Sequence, residues 1–394
     1  MSPSTARRVE GFATTVFSEF SALALQHGAV NLGQGFPDFE GPAEVKEAAL
    51  SAIRDGVNQY AVGMGAEALR LAIAEHSARF YGMQVDPRTM VTVTSGATEA
   101  IFDAVMGLVN PGDEVVVFEP FYDSYLANIE WAGGIPRYVL LRPPDAAHPA
   151  WWFEEDELRA AFSPKTRVVL LNTPHNPTGK VFDRRELELI AALCLEHDAT
   201  VIADEVYEHL VFAPARHLRI ATLPGMFERT VTVSSGGKSF SFTGWKIGWL
   251  IAPPGLRTAV QSVHQFVTFA TAAPLQQAIA VALRLPDAYF QGLAASYRQK
   301  RDRLVRVLGE TRLVPLSPEG TYFAMADLSQ SGHADDFAFC RYLTSQIGVA
   351  AIPPSAFYST PHKAHGQRLV RFAFCKREET LDAAEQRLKA LPRR

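Results

Sequence analysis

The sequence predicts an α/β protein, with a large unit built on a mostly parallel sheet and a smaller α+β unit after it. From about Pro42 to Ala252, helical periodicity alternates with short apolar runs, the pattern of crossover units that build a parallel sheet. After Ala252 long helices take over, including Ala288 to Gly309, followed by short strands such as Thr321 to Ala326 and Leu369 to Phe374. Length agrees with this division, because 394 residues at 47% hydrophobic composition supply ample core and exceed one ordinary structural unit.

In chain order, residues 1–40 read as irregular, rich in aromatics and glycine, and are expected to pack on the smaller unit and on a partner subunit. Leu69, Ile73, His76 and Phe80 share one face of a helix that Gly82 stops. Val91 to Thr94, Glu114 to Phe118 and Arg167 to Leu171 read as buried strands. Arg184 to His197 reads as a helix leading into the strand Thr200 to Ala203, and a further apolar run covers Val231 to Val233. Sheets of this kind hold ligands beyond the carboxyl ends of their strands.

Composition excludes several function classes. The net charge is -4, the sequence pI is near 6.3, and the basic residues are scattered, so no electrostatic footprint for nucleic acid or an anionic membrane exists. Cys194, Cys340 and Cys375 are far apart, without zinc-type spacing or a redox pair, which predicts reduced thiols and no metal centre. Arg7 and Arg8 are followed by Glu10 and polar residues, and no segment approaches about eighteen apolar residues in a row. A cytoplasmic protein is expected. GMGAEA, from Gly63 to Ala68, imitates a dinucleotide fingerprint, but NQYAV before it is not a clear buried strand.

The most informative run is SSGGKSFSFTGWKIGW, from Ser234 to Trp249. Lys238 follows Gly236 and Gly237 where the backbone can bend tightly, and Lys246 lies a short way downstream. One lysine forming an imine and the other meeting an anion would hold a phosphorylated aldehyde; a lysine in isolation is ordinarily a solvated surface residue. Ser95-Gly96-Ala97-Thr98-Glu99 opens a helix expected to run to about Val109, where small residues and free amides suit a phosphate and Ser95 or Thr98 also suits a cap. Asp204 ends the strand Thr200 to Ala203 with Tyr207 three residues on; it reads either as a helix cap or as a buried carboxylate that keeps a pyridine nitrogen protonated. Asn176 lies between two prolines in NTPHNPTG, a stiff turn from which its amide can meet a ring oxygen. Arg371, in the apolar strand LVRFAF, needs a partner, either an internal carboxylate or that of a substrate.

Taken together, NLGQGFPDF, NQYAVGMGAEALR, NTPHNPTG, DEVYEHL, SSGGKSFSFTGWKIGW and GTYF resemble the class I aminotransferases, fold type I pyridoxal-phosphate enzymes, over essentially the whole chain. They are most similar to the branch with methionine aminotransferase, kynurenine aminotransferase and glutamine transaminase K. The resemblance implies a central sheet with helices on both faces, a cofactor-binding domain over 41–285 and a small domain over 286–394. It makes Lys238 the covalent anchor and proton shuttle, and Asp204 the partner of the ring nitrogen. Asn176 and Tyr207 then meet the ring hydroxyl, and Tyr122 stacks on the ring. Gly96, Ala97, Thr98, Ser235 and Lys246 match the phosphate cup, and Tyr60 matches a tyrosine that reaches the phosphate of the neighbouring subunit, which implies a homodimer with shared sites. Gly35, Asn176 and Arg371 match the substrate site, with Phe17 and Phe269 lining the side-chain pocket.

Three departures bear on specificity. Lys246 replaces the arginine common in the wider family, giving a point charge without a fork. Gly236 and Ala97 replace bulkier residues of some relatives. No counterpart of the arginine that takes a second carboxylate is evident, so a dicarboxylate donor is disfavoured. The expected reaction is transfer of the amino group of a neutral, bulky L-amino acid (methionine, aromatic, kynurenine or glutamine) to a 2-oxo acid. The alternative is a carbon-sulfur beta-lyase acting on cysteine conjugates or cystathionine-like substrates.

Overall fold

A computed structural model describes residues 6–12 and 15–393; residues 1–5, 13 and 14 of the N-terminal segment and residue 394 lie outside the described residues. The strands are β1 Val30–Asn31, β2 Val91–Ser95, β3 Glu114–Glu119, β4 Ile135–Leu140, β5 Thr166–Asn172, β6 Thr200–Asp204, β7 Thr230–Ser235 and β8 Ile247–Ile251. Then follow β9 Val314–Leu316, β10 Phe323–Asp327, β11 Val349–Ala350 and β12 Leu369–Ala373. Seven of them form the central sheet in the order β2-β8-β7-β6-β5-β3-β4. β8 runs antiparallel to both neighbours, and every other pairing is parallel.

The continuous apolar runs exist because both faces of this sheet are covered. Val116, Val169, Leu171, Val201 and Ala203 point into one core, while Val115, Val117, Val168, Leu170 and Ile202 point into another on the opposite face. The strands read from sequence all form, extended by one residue at the site end of β2, β3, β5 and β6. Helix Glu67–Tyr81 ends where expected, at Gly82, whose left-handed φ of 65° lets the Met83 N–H reach back to the Ser77 carbonyl. No strand precedes that helix closely, so GMGAEA lacks the context of a dinucleotide site.

Antiparallel strands β12-β10-β9 form a second sheet against helix Asp287–Gly309, and β1 pairs in parallel with β11. Phe20 and Leu32 share one core with Tyr297, Leu308, Tyr322 and Phe372. Two expectations need correction. Residues 1–40 are not irregular throughout, since Val16–Gln26 is a helix capped by the Thr15 hydroxyl and burying Phe20 and Ala24. Its short stripe was obscured by the glycine-rich stretch that follows. Strand β10 starts at Phe323 rather than Thr321, because Thr321 adopts a left-handed φ of 66°.

The motif DEVYEHL is split between two environments. Asp204 and Tyr207 face the cavity described below, while Glu205 and Glu208 meet Arg219, at 2.8 and 2.6 Å, below the ring of Tyr81. Burial opposes the charge on Glu208, but Arg219 overcomes it and holds the carboxyl below its usual range. Removing the guanidinium leaves buried Glu208 without its ion-pair partner and buried Glu205 with only His217, at 3.3 Å. Arg219→Met is therefore expected to cost about 3–5 kcal/mol of unfolding free energy. Urea unfolding at matched protein concentration checks this, and a loss below about 1 kcal/mol contradicts it.

Candidate active site

Strands β2, β3, β5, β6 and β7 end around one cavity of about 170 Å³, and their following loops supply most of its wall. Gly96, Ala97, Thr98, Tyr122, Asn176, Asp204, Tyr207, Ser235, Lys238 and Lys246, all singled out from sequence, line it.

One end of the cavity suits an anion. Helix Gly96–Leu108 begins there, so its first-turn amides and the positive end of its dipole face the space. Ser95 occupies the N-cap without a side-chain capping bond. A Cβ at Gly96 would come within 3.0 Å of Lys246 Nζ, which shows how closely the ammonium lies over the helix start. Lys246 is presented by a left-handed φ of 54°, a conformation that costs a non-glycine residue about 1–2 kcal/mol. At Gly248, just beyond, a Cβ would collide with Gly96 C at 2.4 Å and Ala97 N at 2.6 Å, so only glycine lets β8 pass. The Ser235 hydroxyl, at the end of β7, accepts from Gly237 N–H at 3.1 Å.

The other end carries a buried carboxylate and an amine. Asp204 accepts from the Tyr125 hydroxyl and, at 3.3 Å, from Val206 N–H, with no ion pair among the described residues. Burial pushes its carboxyl up, and Tyr125 opposes this. A protonated ring nitrogen beside it would meet that need for a positive partner. Asn172 fastens the neighbouring loop by donating to the Asp204 carbonyl at 2.9 Å and accepting from Asn176 N–H at 2.7 Å. Burial lowers Lys238 to about 8, against the pull of Cys375 and Asp204, so a useful fraction is neutral amine near pH 7. Its Nζ donates to the Tyr322 hydroxyl at 3.0 Å. An anion cradle, a carboxylate and a nucleophilic amine in one cavity fit a phosphorylated pyridine aldehyde.

Arg371, on β12, is 1% exposed. Its guanidinium lies 4.1, 5.0 and 5.3 Å from the ring centroids of Phe323, Phe357 and Phe17. It donates to Asn176 Oδ1 at 3.1 Å and the Gly33 carbonyl at 3.0 Å, while Nε has no partner. Both acceptors are neutral, and the internal ion pair considered from sequence does not form among the described residues. Burial pushes the guanidinium down to about 10, with Tyr207 and Tyr322 opposing. Gly35 lies alongside, where a Cβ would meet the Phe323 ring at 2.4 Å.

Tyr60 and Phe269 do not line this cavity. They lie on the outside of the same chain, 84% and 43% exposed, with their rings edge to face at 5.4 Å. Phe17 and Phe269 are therefore not two walls of one pocket within a chain. Behind the pair, His264 Nε2 meets the Gly63 carbonyl and Nδ1 meets Glu99, each at 2.8 Å, with Asp103 at 3.7 Å. A carbonyl and a carboxylate both accept, so the ring carries both protons. Tyr125, Asn172, Tyr322 and His264 escaped sequence reasoning. Tyr125 lies three residues after Tyr122, Asn172 opens NTPHNPTG and Tyr322 belongs to GTYF, whereas His264 carries no local signal.

Comparison with known proteins agrees with this geometry. The family described as aminotransferase class I and II matches residues 28–388. The chain is similar to the Mycobacterium tuberculosis protein named probable N-succinyldiaminopimelate aminotransferase DapC, at 48% identity over 99% of each chain. It is 44% identical to Mus musculus kynurenine–oxoglutarate transaminase 3, over 98% of this chain and 90% of that one. A solved Escherichia coli structure, described as identifying a methionine aminotransferase function, has a TM-score of 0.93 and 43% identity, covering 98% of this chain and 100% of that one.

Although burial disfavours the charged ring, the nearby Asp103 carboxylate and the bonds to Glu99 and the Gly63 carbonyl prevail and raise His264 to about 10. A raised folded value means that this contribution is complete below the unfolded pKa of about 6.5 and is lost as pH climbs through about 10. His264→Gln is expected to lose about 2 kcal/mol of stability at pH 7 and progressively less toward pH 10. Urea unfolding across that range reads the difference, and a deficit independent of pH would rule out the charged imidazole as its source.

Proposed function

The chain belongs to the aminotransferase class I and II family, pyridoxal-phosphate enzymes of fold type I, and from that premise we propose that it moves the amino group of a neutral, bulky L-amino acid to a 2-oxo acid. Methionine and aromatic amino acids lead the donor list, with kynurenine and glutamine as further candidates. The observation that carries the donor class is the aromatic box around Arg371, a buried guanidinium with an unused nitrogen and no carboxylate partner. It suits the α-carboxylate of an amino acid whose side chain rests among Phe17 and its neighbours.

Pyridoxal phosphate supplies an aldehyde that takes up amines and a ring that withdraws electrons. Lys238 anchors it and its Nζ carries the proton from the substrate α-carbon, a task for which an amine lowered to about 8 is suited. Asp204 keeps the proton on the ring nitrogen, while Asn176 and Tyr207 donate to the ring oxygen. Tyr122 would cover the ring face. Gly96, Ala97, Thr98, Ser235 and Lys246 hold the phosphate, and Gly35 and Arg371 hold the substrate carboxylate.

In the same reading, two copies complete each other's sites. Tyr60 of one copy reaches the phosphate in the other, and Phe269 closes the side-chain pocket there. Support comes from their exposure together with that of Phe266, 89% exposed, and Val62, 68% exposed, an apolar surface that monomers rarely leave bare. Three buried free thiols suit a cytoplasmic setting, and among the described residues no helix is long and apolar enough to cross a membrane.

Donors with further carboxylates are disfavoured. Among the described residues the cations lining the cavity are Lys238 and Lys246, with Arg371 behind Asn176, and each already has a use. N-Succinyldiaminopimelate, named for the Mycobacterium tuberculosis relative, brings carboxylates beyond the one that Arg371 takes.

Assays of purified protein with a panel of donors and 2-oxo acceptors test the proposal. Methionine and phenylalanine are expected to exceed aspartate and N-succinyldiaminopimelate in kcat/KM; the reverse order, or acceptor-independent release of ammonia and pyruvate, refutes it. Lys238→Ala is expected to lose the cofactor's bound absorption band and transfer by about a thousandfold or more. Arg371→Ala is expected to keep the cofactor attached while kcat/KM for the amino acid falls by about a hundredfold.

A further inference from the structure

Four consecutive backbone carbonyls, those of Gly33, Gln34, Gly35 and Phe36, are each taken by a side chain from the C-terminal part of the fold. Arg371 takes Gly33 at 3.0 Å. Lys376, 3% exposed, takes Gln34 at 3.2 Å and Phe36 at 2.9 Å. Tyr322 takes Gly35 at 2.5 Å. The Tyr322 hydroxyl is also the group that receives Lys238 Nζ at 3.0 Å. A phenol has one hydrogen, and the Gly35 carbonyl can only accept it. Toward Lys238, Tyr322 is therefore an acceptor.

The tyrosine has no freedom to turn away. It is fully buried, with its ring edge to face with Tyr207 at 5.2 Å and with Phe323 at 4.9 Å, and near-parallel to Tyr297 at 6.0 Å. Thr321, in its left-handed conformation, donates its N–H to the Leu210 carbonyl at 2.8 Å, and its hydroxyl accepts from Phe323 N–H at 3.1 Å. Phe374 N–H bonds the Tyr322 carbonyl at 2.9 Å, while Phe323 pairs with Ala373, so Tyr322 and Arg371 ride on the same pair of strands.

We propose that Tyr322 is a positioning residue for Lys238: its hydroxyl holds the amine whenever that amine has no covalent partner, and ties it to the 33–36 loop beside the substrate carboxylate. The inference rests on Lys238 being the reactive amine proposed above. A substrate amine that displaced Lys238 would leave a free amine, for which the Tyr322 hydroxyl, tied to the Gly35 carbonyl, is a prebuilt acceptor. The amine is thus held rather than left to swing in the cavity. Asp204, Cys375, Lys246 and Arg371 also face Lys238 electrostatically, with the Tyr207 ring at 5.6 Å. None of them accepts a hydrogen bond from its Nζ among the described residues.

Tyr322→Phe keeps the ring packing and removes only the hydroxyl. The full chain, stripped of cofactor, is treated with an aromatic aldehyde and borohydride across a pH series, and labelling of residue 238 is read by mass spectrometry. Because an ammonium donates a stronger bond to the hydroxyl than an amine does, losing the acceptor is expected to lower the labelling midpoint by about one pH unit. With cofactor restored, single-turnover reaction with saturating amino acid is expected to slow about tenfold while cofactor affinity stays at the parental value. Labelling in the parent that misses residue 238 overturns the reactive-lysine reading itself. Labelling at 238 with an unshifted midpoint in Tyr322→Phe overturns only the role given to Tyr322.

Discussion

The carboxylate of Asp204 sits at the end of the central strand, hydrogen-bonded only to neutral donors among the described residues with Lys238 acting on it from a distance, and much of the site follows from how the chain tolerates that. Burying an acid without a cation costs several kcal/mol in an unrelieved environment. Here Tyr125 and the Val206 amide relieve part of it, and the remainder favours a protonated ring against the carboxylate. The same residue fixes its surroundings through its backbone, because its carbonyl accepts from Asn172 and from Thr173 N–H. The strand end, the Asn176 loop and the helix bearing Tyr125 are thus assembled around one group that a cationic ligand would suit. Binding that ligand stabilises the fold by mass action as well as enabling chemistry.

DEVYEHL shows how closely core and site share the same few residues. Asp204 and Tyr207 serve the cavity, while Glu205 and Glu208, on the opposite side, are consumed by Arg219. Four polar side chains within five positions are all buried, and each has a different reason to be there. Spacing alone does not separate them. A carboxylate next to an arginine contributes to the cohesion of the fold, and one without an arginine contributes to ligand binding.

What could be read from the sequence follows from the range of the interactions. Strands β3, β5 and β6 were legible because a sheet covered on both faces leaves continuous apolar runs, and helix Glu67–Tyr81 because Gly82 marks its end. Helix Val16–Gln26 was not, because its buried stripe is two residues wide and is followed at once by glycines. The cavity residues were legible because all but Lys246, which immediately precedes β8, lie at or within a few residues after a strand's end. Tyr322 and His264 were not: their partners lie 84 and 165 residues away, and while GTYF flags the segment of Tyr322 it does not report that contact, and nothing beside His264 does. Resemblance named Tyr60 and Phe269 alongside the cavity residues, yet the chain carries them on its outer surface, a distinction that a motif cannot express.

The stretch from Gly33 to Phe36 is gripped carbonyl by carbonyl, and Gly35 has no room for even a methyl group. Retargeting this scaffold to new donors by redesigning that stretch would undo its anchorage to three side chains at once. Phe17 and Phe357 touch Arg371 only with their ring faces, so altering their bulk reshapes the chamber without loosening any polar fastening. Diversification of such a catalyst should run through those two rings, with the main-chain clamp inherited unchanged.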